Sequence, residues 1–202
     1  MAITTEQIKK LREETGAGIL DCRKALEQAG GDFDKALEFL REKGLATAAR
    51  RSDRETLEGT VELYSHGNGR VGVMVEVNCE TDFVARSRAF RTLAHEIALH
   101  IAASSPRYLK VEDIPAKVLE DERDKVRLHA HSEGKSGAVV EKITEGRLEK
   151  ILEETCLLRQ PYIRDETISV EKLLLQNIAA IGENIVIRRF SRWELGENTD
   201  EA

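Results

Sequence analysis

A change in hydrophobic period near Gly59 sets the fold class of this chain. Over residues 59–79 apolar side chains alternate with polar ones, and His66-Gly67-Asn68-Gly69 interrupts the alternation with residues that favour a tight turn. This pattern predicts a β-hairpin whose second strand carries valines on one face. Residues 87–104 have a helical pattern with an apolar stripe that would cover this valine face. The sequence therefore predicts an α+β core.

The first fifty residues have a helical period that glycines interrupt. Thr4 opens a first helical pattern with a capping box, a second pattern ends at Gly30-Gly31, and a third begins at Asp32 and ends at Gly44. These three short patterns predict a compact three-helix module. We assign it to residues 1–54.

The remaining residues, 55–202, are predicted to form the α+β core domain. In residues 117–154 charged side chains are dense and the apolar positions form a narrow seam, which Gly134-Lys135-Ser136-Gly137 divides in two. This pattern predicts a projecting antiparallel helical hairpin at about residues 114–158. A β-rich run that begins at Ile185 would complete a three-stranded antiparallel sheet.

Composition argues against several classes of protein. A net charge of −6 does not suit general nucleic-acid binding, so we expect no direct nucleic-acid contact. The run Arg50-Arg51-Ser52-Asp53-Arg54 has the composition of a linker, and a local phosphate-contacting patch is the alternative interpretation. The N-terminus lacks the features of a signal peptide, and the longest uncharged runs are about half a membrane span, so we expect a cytoplasmic protein without membrane contact.

No motif points to catalysis. Gly67-Asn68-Gly69-Arg70-Val71-Gly72 matches GxGxxG, but a strand follows it where a dinucleotide-binding fold requires a helix. Cys79 has acidic neighbours but no histidine in the local sequence to activate its thiol. The three cysteines are widely separated and lack CxxC spacing, which argues against disulfides and structural zinc. We expect a protein that is not an enzyme, with no catalytic residue, no metal site and no cofactor.

Two apolar features indicate binding surfaces. At Thr81-Asp82-Phe83 a strand runs directly into a helical stretch, so Phe83 either reaches into a partner or staples the helix while Asp82 caps it. Ile19 and Leu20 lie off the apolar stripe of the second helix. They either form an exposed binding patch or pack against the first helix.

Three stretches of the chain resemble bacterial elongation factor Ts. Residues 11–26 read Leu-Arg-Glu-Glu-Thr-Gly-Ala-Gly-Ile-Leu-Asp-Cys-Arg-Lys-Ala-Leu, and residues 76–86 read Glu-Val-Asn-Cys-Glu-Thr-Asp-Phe-Val-Ala-Arg. The third stretch is Ile181-Gly182-Glu183-Asn184-Ile185. The resemblance covers essentially the whole chain and is to the short form of the family, with one core subdomain. Ile19-Leu20 stands where the family usually has Met-Met.

The resemblance implies a guanine-nucleotide exchange factor that binds elongation factor Tu in its GDP-bound and nucleotide-free forms. It implies that GDP is released so that GTP can bind during translation elongation. The three-helix module, similar to a ubiquitin-associated domain, would dock on the GTPase domain, and an aromatic tip would disturb Mg²⁺ and the phosphate-binding loop. The residues implied at the tip are Thr81, Asp82, Phe83 and Val84; the other implied contacts are Leu11, Ile19, Leu20, His66, Ile181 and Gly182.

The same resemblance implies a homodimer that works as a two-plus-two assembly. A hypothesis from another class is a non-catalytic adaptor whose three-helix module binds a ubiquitin-like or RNA ligand, with the α+β part as a spacer. Leu20 suits both functions. The adaptor gives no role to Thr81-Asp82-Phe83, whereas nucleotide exchange does.

Overall fold

The structure, a computed structural model, describes residues 3–197. They form two compact units. Unit 1 contains residues 3–63, 75–96 and 172–188, and unit 2 contains residues 64–74, 97–171 and 189–197. Unit 1 contains residues on both sides of position 54. The predicted domain boundary between residues 1–54 and 55–202 stays a prediction.

The described chain is built mainly from helices, together with a larger and a smaller sheet. Its elements, in chain order, are α1 (Thr5–Thr15), α2 (Ile19–Gln28), α3 (Phe33–Ala49), β1 (Glu58–His66), β2 (Val71–Cys79), α4 (Asp82–Ala85), α5 (Arg88–Ser104), α6 (Ala116–Ser132), α7 (Ala138–Thr155), β3 (Pro161–Tyr162), β4 (Asp165–Ser169), α8 (Val170–Ile181) and β5 (Ile185–Glu194). In the part of the chain that the structure describes, no helix combines the length and the apolar character needed to cross a bilayer.

The three N-terminal helices begin and end largely where the sequence predicts. Thr4 and Gln7 form the capping box of α1, and the side chain of Asp32 accepts a hydrogen bond from the first turn of α3. Gly16 ends α1 with a φ of +67°, a conformation that other residues adopt only with strain. The helices share a core of buried side chains: Leu11, Cys22, Ala25, Leu26, Ala36 and Leu40. The likeness of this module to a ubiquitin-associated domain stays a prediction.

The predicted end of the third helix at Gly44 is wrong, because α3 continues to Ala49. A Cβ atom at Gly44 would lie 3.1 Å from the Cβ of Ala179 on α8, and one at Gly16 would lie 3.0 Å from the Cβ of Ala180. Both glycines therefore let the N-terminal helices approach α8 closely. At Gly44 the glycine serves packing and does not end the helix.

The charged run at residues 50–54 was predicted to be a linker, but it is held in unit 1 by hydrogen bonds. The guanidinium of Arg51 donates to the carbonyl of Ile178 at 3.2 Å. The buried side-chain amide of Asn184 donates to the carbonyls of Ser52 and Arg54 at 3.2 and 2.9 Å. These long-range bonds tie the run to residues 178–184, and its role as a linker between domains stays a prediction.

The larger sheet has the strand order β1-β2-β5 and is antiparallel, which confirms the predicted α+β class and its three-stranded sheet. At the tip of the hairpin, Arg70 donates its backbone N–H to the carbonyl of His66 at 3.1 Å, so the GxGxxG match is a turn. The odd-numbered residues of β2 are buried. On β1, in contrast, Val61 and Leu63 are exposed.

In unit 2, α6 and α7 contact each other, and residues 133–137 separate them. The description of this pair as a projecting hairpin stays a prediction. The sequence did not indicate the smaller sheet, in which β3 pairs with β4. It also did not indicate buried His100, whose Nε2 lies 3.0 Å from Oε1 of Gln160 and whose Nδ1 accepts from the N–H of Ile163 at 3.4 Å.

Candidate functional site

The aromatic tip lies at the junction of β2 and the single-turn helix α4. Thr81 is the N-cap of α4, and its hydroxyl oxygen accepts the N–H of Val84 at 3.3 Å. The ring of Phe83 is 81% exposed, whereas the side chain of Val84 is only 8% exposed. Val84 therefore anchors the turn, and the capped turn presents Phe83 to the outside.

This geometry tests the interpretation of Phe83 as a staple for the helix. A ring that stapled the helix would be covered, and this one is not. The cap is Thr81 and not Asp82, whose carboxylate forms an ion pair with Arg86 one turn later. The stapling role of Phe83 and the capping role of Asp82 are therefore wrong.

The turn between α8 and β5 lies directly beside the tip. One carboxylate oxygen of Glu183 accepts the hydroxyl of Thr81 at 2.7 Å, and the other accepts the backbone N–H of Thr81 at 3.1 Å. The backbone N–H of Asn184 in turn donates to the carboxylate of Glu80 at 2.7 Å. The structure thus brings the turn that follows Ile181 and Gly182 close to the tip residues.

The thiol of Cys79, beneath the tip, is fully buried and donates to the carbonyl of Thr81 at 3.2 Å. Burial, together with the negative charge of Glu183, raises the pKa of Cys79 to about 11, so it stays a neutral thiol near pH 7. Cys79 is therefore a packing residue and not a nucleophile. Across residues 3–197 no three histidine, cysteine, aspartate or glutamate side chains are grouped to hold a metal ion.

A second apolar feature lies in the first turn of α2. Ile19 is 56% exposed and Leu20 72% exposed, whereas Cys22 and Leu26 on the same helix are buried in the three-helix core. The interpretation that Ile19 and Leu20 pack against the first helix is therefore wrong. Next to them, Lys43 forms an ion pair with Asp21 at 2.8 Å and lowers the pKa of this carboxyl. The feature is an apolar patch with a charged border.

Two other predicted contact residues occupy different environments. Leu11 is 0% exposed in the core of the three helices, so its side chain has no surface to offer a partner. We correct its assignment to a packing residue that supports α2. His66 is exposed at the hairpin turn of unit 2, where its Nδ1 lies 3.1 Å from the hydroxyl of Tyr64 and the two rings stack.

The sequence did not assign roles to Glu80, Glu183 and Asn184, although all three lie within the stretches that carry the resemblance. The available signal was that Glu80 stands immediately before Thr81 and Glu183 immediately after Gly182. Their partners were not visible from local patterns, because Thr81 and Glu183 are 102 positions apart.

Comparison with known proteins assigns the chain to a family. The model of the family described as Elongation factor TS matches residues 42–197. Elongation factor Ts of Carboxydothermus hydrogenoformans is 56% identical over 195 residues, which cover 96% of this chain and 90% of the relative. Elongation factor Ts of Caldanaerobacter subterraneus subsp. tengcongensis is 53% identical over 98% of this chain and 100% of its own length. The resemblance seen in the sequence is confirmed: the chain belongs to the elongation factor Ts family.

Proposed function

We propose that this chain is a guanine-nucleotide exchange factor for elongation factor Tu and acts in the cytoplasm during translation elongation. Family membership supports this function. The observation that carries it is the exposed ring of Phe83 on a capped turn with a buried anchor. An aromatic ring held in this way has the shape and the rigidity of an interface hot spot.

Exchange follows from differential binding. If the chain binds nucleotide-free elongation factor Tu more tightly than the GDP-bound form, it must weaken GDP by the same factor. Phe83 would intrude beside the nucleotide site and disturb the partner's Mg²⁺ and phosphate-binding loop. Because Mg²⁺ is a large local charge that holds the phosphates, its displacement favours release of GDP, and GTP can then bind. No covalent step is needed, so the chain is not an enzyme in the chemical sense.

The apolar patch of Ile19 and Leu20 would dock on the GTPase domain. Its two exposed aliphatic side chains provide the apolar area that a partner can bury. Ile181 and Gly182 would contact the partner beside Phe83, and His66 would meet another domain of it. In this arrangement the patch supplies affinity and the tip supplies the change in nucleotide binding.

We also propose that the chain forms a homodimer and works as a two-plus-two assembly with its partner. An exposed apolar stripe follows β1. It contains Val61 and Leu63 on the strand and Leu57 just before it, whose odd numbers place them on one face. Self-association would cover this apolar stripe. A measured mass of a single chain by light scattering at micromolar concentration would reject the homodimer and leave the exchange function intact.

The adaptor function remains the alternative, but the exposed ring of Phe83 gives it no support. In an adaptor, the three-helix module alone would carry binding, and substitutions at the tip would have no effect. The two functions therefore differ in what they predict for one side chain.

The decisive experiment measures release of fluorescent GDP from elongation factor Tu, with and without this protein. Phe83→Ala is the test variant, and Leu128→Ala is the matched control because Leu128 is an exposed apolar residue on α6. We expect the wild type and Leu128→Ala to accelerate release and Phe83→Ala to accelerate it roughly thirtyfold less, with a residual effect that is still measurable. If the wild type does not accelerate release, the exchange function is wrong.

A further inference from the structure

We propose that Glu183 is a positioning residue for nucleotide exchange: through Thr81, its carboxylate fixes the first turn of α4 and thereby the direction of the Phe83 ring. This inference rests on the proposed exchange function. It starts from the two hydrogen bonds by which Thr81 donates its hydroxyl and its backbone N–H to the two oxygens of Glu183.

Glu183 holds the hydroxyl of Thr81. A hydroxyl has a single proton, and here it is donated to Glu183 at 2.7 Å. This donation sets the rotation of the hydroxyl and leaves a lone pair for the N–H of Val84 at 3.3 Å. Glu183 therefore orients the cap of α4.

Helix α4 has four residues. A single helical turn is not stable by itself, because nucleation fixes several dihedral angles for one hydrogen bond. Its geometry must come from contacts outside the turn. Val84 and Ala85 supply contacts by burial, and the bonds from Thr81 to Glu183 fix the cap of the turn.

Glu183 is itself held in place through the residue that follows it. The neighbouring Asn184 is buried, its backbone N–H donates to Glu80, and its side-chain amide donates to the carbonyls of Ser52 and Arg54. The strand end and the turn thus exchange bonds in both directions: Glu80 accepts from the turn, and Glu183 accepts from Thr81. We call Glu80, Thr81, Glu183 and Asn184 the clasp.

The clasp gives the tip an advantage in binding. A flexible tip would lose conformational entropy when Phe83 enters the partner, whereas a tip that is already ordered does not. Hydrogen bonds to a carboxylate are stronger than neutral ones, which makes Glu183 suited to this restraint. Glu183 does not need to contact the partner, because it acts on binding through the direction of the Phe83 ring.

The test is a double-mutant cycle measured by GDP release from elongation factor Tu, with Glu183→Ala, Phe83→Ala and the double variant. We expect Glu183→Ala to lower the acceleration about tenfold, on the scale of lost charged hydrogen bonds. In the background of Phe83→Ala, we expect removal of Glu183 to cost less than about twofold, because there is no ring left to position. A purely structural role would give the same loss in both backgrounds.

Glu183→Gln is the second test variant, for the case that Glu183→Ala does not fold. Glu183→Gln keeps an oxygen for the N–H of Thr81, and its amide can donate to the hydroxyl oxygen, so we expect a loss of only about threefold. Glu153→Ala, at an exposed glutamate of α7, is the matched control and should equal the wild type. Amide hydrogen exchange adds a readout without the partner: the N–H of Thr81 should exchange faster in Glu183→Ala, while the amides of β2 keep their protection.

The outcomes separate the two proposals. If the wild type accelerates GDP release and Phe83→Ala accelerates it roughly thirtyfold less, the exchange function stands. An unchanged rate in Glu183→Ala, or an equal loss in both backgrounds of the cycle, would then overturn the positioning role alone. A wild type without activity would overturn both.

Discussion

Phe83 and Val84 are neighbours in the sequence, but one side chain is almost fully exposed and the other is almost fully buried. This contrast arises because Thr81 caps a single helical turn immediately after a buried strand. The two residues should therefore respond to truncation in opposite ways. Phe83 contributes to binding, and Val84 contributes to stability.

We expect Phe83→Ala to leave the free energy of unfolding within about 0.5 kcal/mol of the wild type, because the ring buries little surface. The same change should cost at least about 2 kcal/mol in the exchange-competent complex, or roughly thirtyfold in its stability. Val84→Ala should instead lower the free energy of unfolding by about 1–2 kcal/mol. Urea unfolding and GDP release on the same samples check both expectations. An exchange rate unchanged by Phe83→Ala would contradict the role of the tip.

Leu20→Asp should weaken docking without altering the tip. A charge on the exposed apolar patch would be desolvated when the partner binds, so we expect the affinity for elongation factor Tu to fall about tenfold or more. The maximal rate of GDP release at saturating concentration should change less than about twofold, since Phe83 is intact. A titration of the release rate against protein concentration separates the two quantities. A lowered maximum with an unchanged midpoint would show that Leu20 does not act in docking.

How much could be predicted from sequence depends on the distance between partners along the chain. The capping box of Thr4 and Gln7 lies within one helical turn, and the sequence predicted it correctly. The hydrogen bonds between Thr81 and Glu183 join positions 102 residues apart, and no local pattern contains them. The exposure of Phe83 was also undecided, because the local sequence of a strand-to-helix turn permits both a ring that staples the helix and a ring that is exposed. The buried anchor at Val84 resolves this ambiguity.

The buried imidazole of His100 should make stability depend on pH. Burial lowers its pKa below the value of 6.5 expected in the unfolded chain, and its hydrogen bond to Gln160 opposes this shift only in part. As the pH falls through 6.5, the unfolded chain binds a proton before the native one, so stability is retained above this pH and declines below it. The slope is at most about 1.4 kcal/mol per pH unit.

Urea unfolding at pH 7.5, 6.5 and 5.5 measures this slope. His100→Gln removes the titrating group, so its free energy of unfolding should decline less over this range, whatever its absolute stability. His131→Gln, at an exposed histidine of α6, is the matched control and should decline as the wild type does. Equal slopes in His100→Gln and the wild type would assign the pH dependence to other groups.

The two helical glycines Gly44 and Gly146 offer a direct test of the packing between α3 and α8. An alanine in a helix interior is favoured over glycine by about 1 kcal/mol, because the glycine backbone loses more entropy on folding. A Cβ at Gly146 on α7 would meet no atom within 4 Å, so Gly146→Ala should raise the free energy of unfolding by about 0.5–1 kcal/mol.

A Cβ at Gly44 would meet the Cβ of Ala179 at 3.1 Å, which is tighter than ordinary contact. Gly44→Ala should therefore gain less than Gly146→Ala or destabilise the protein, and Ala179→Gly should cost less in the Gly44→Ala background than in the wild type. Equal gains at both glycines in urea unfolding would mean that α3 and α8 do not approach each other as closely as the structure describes.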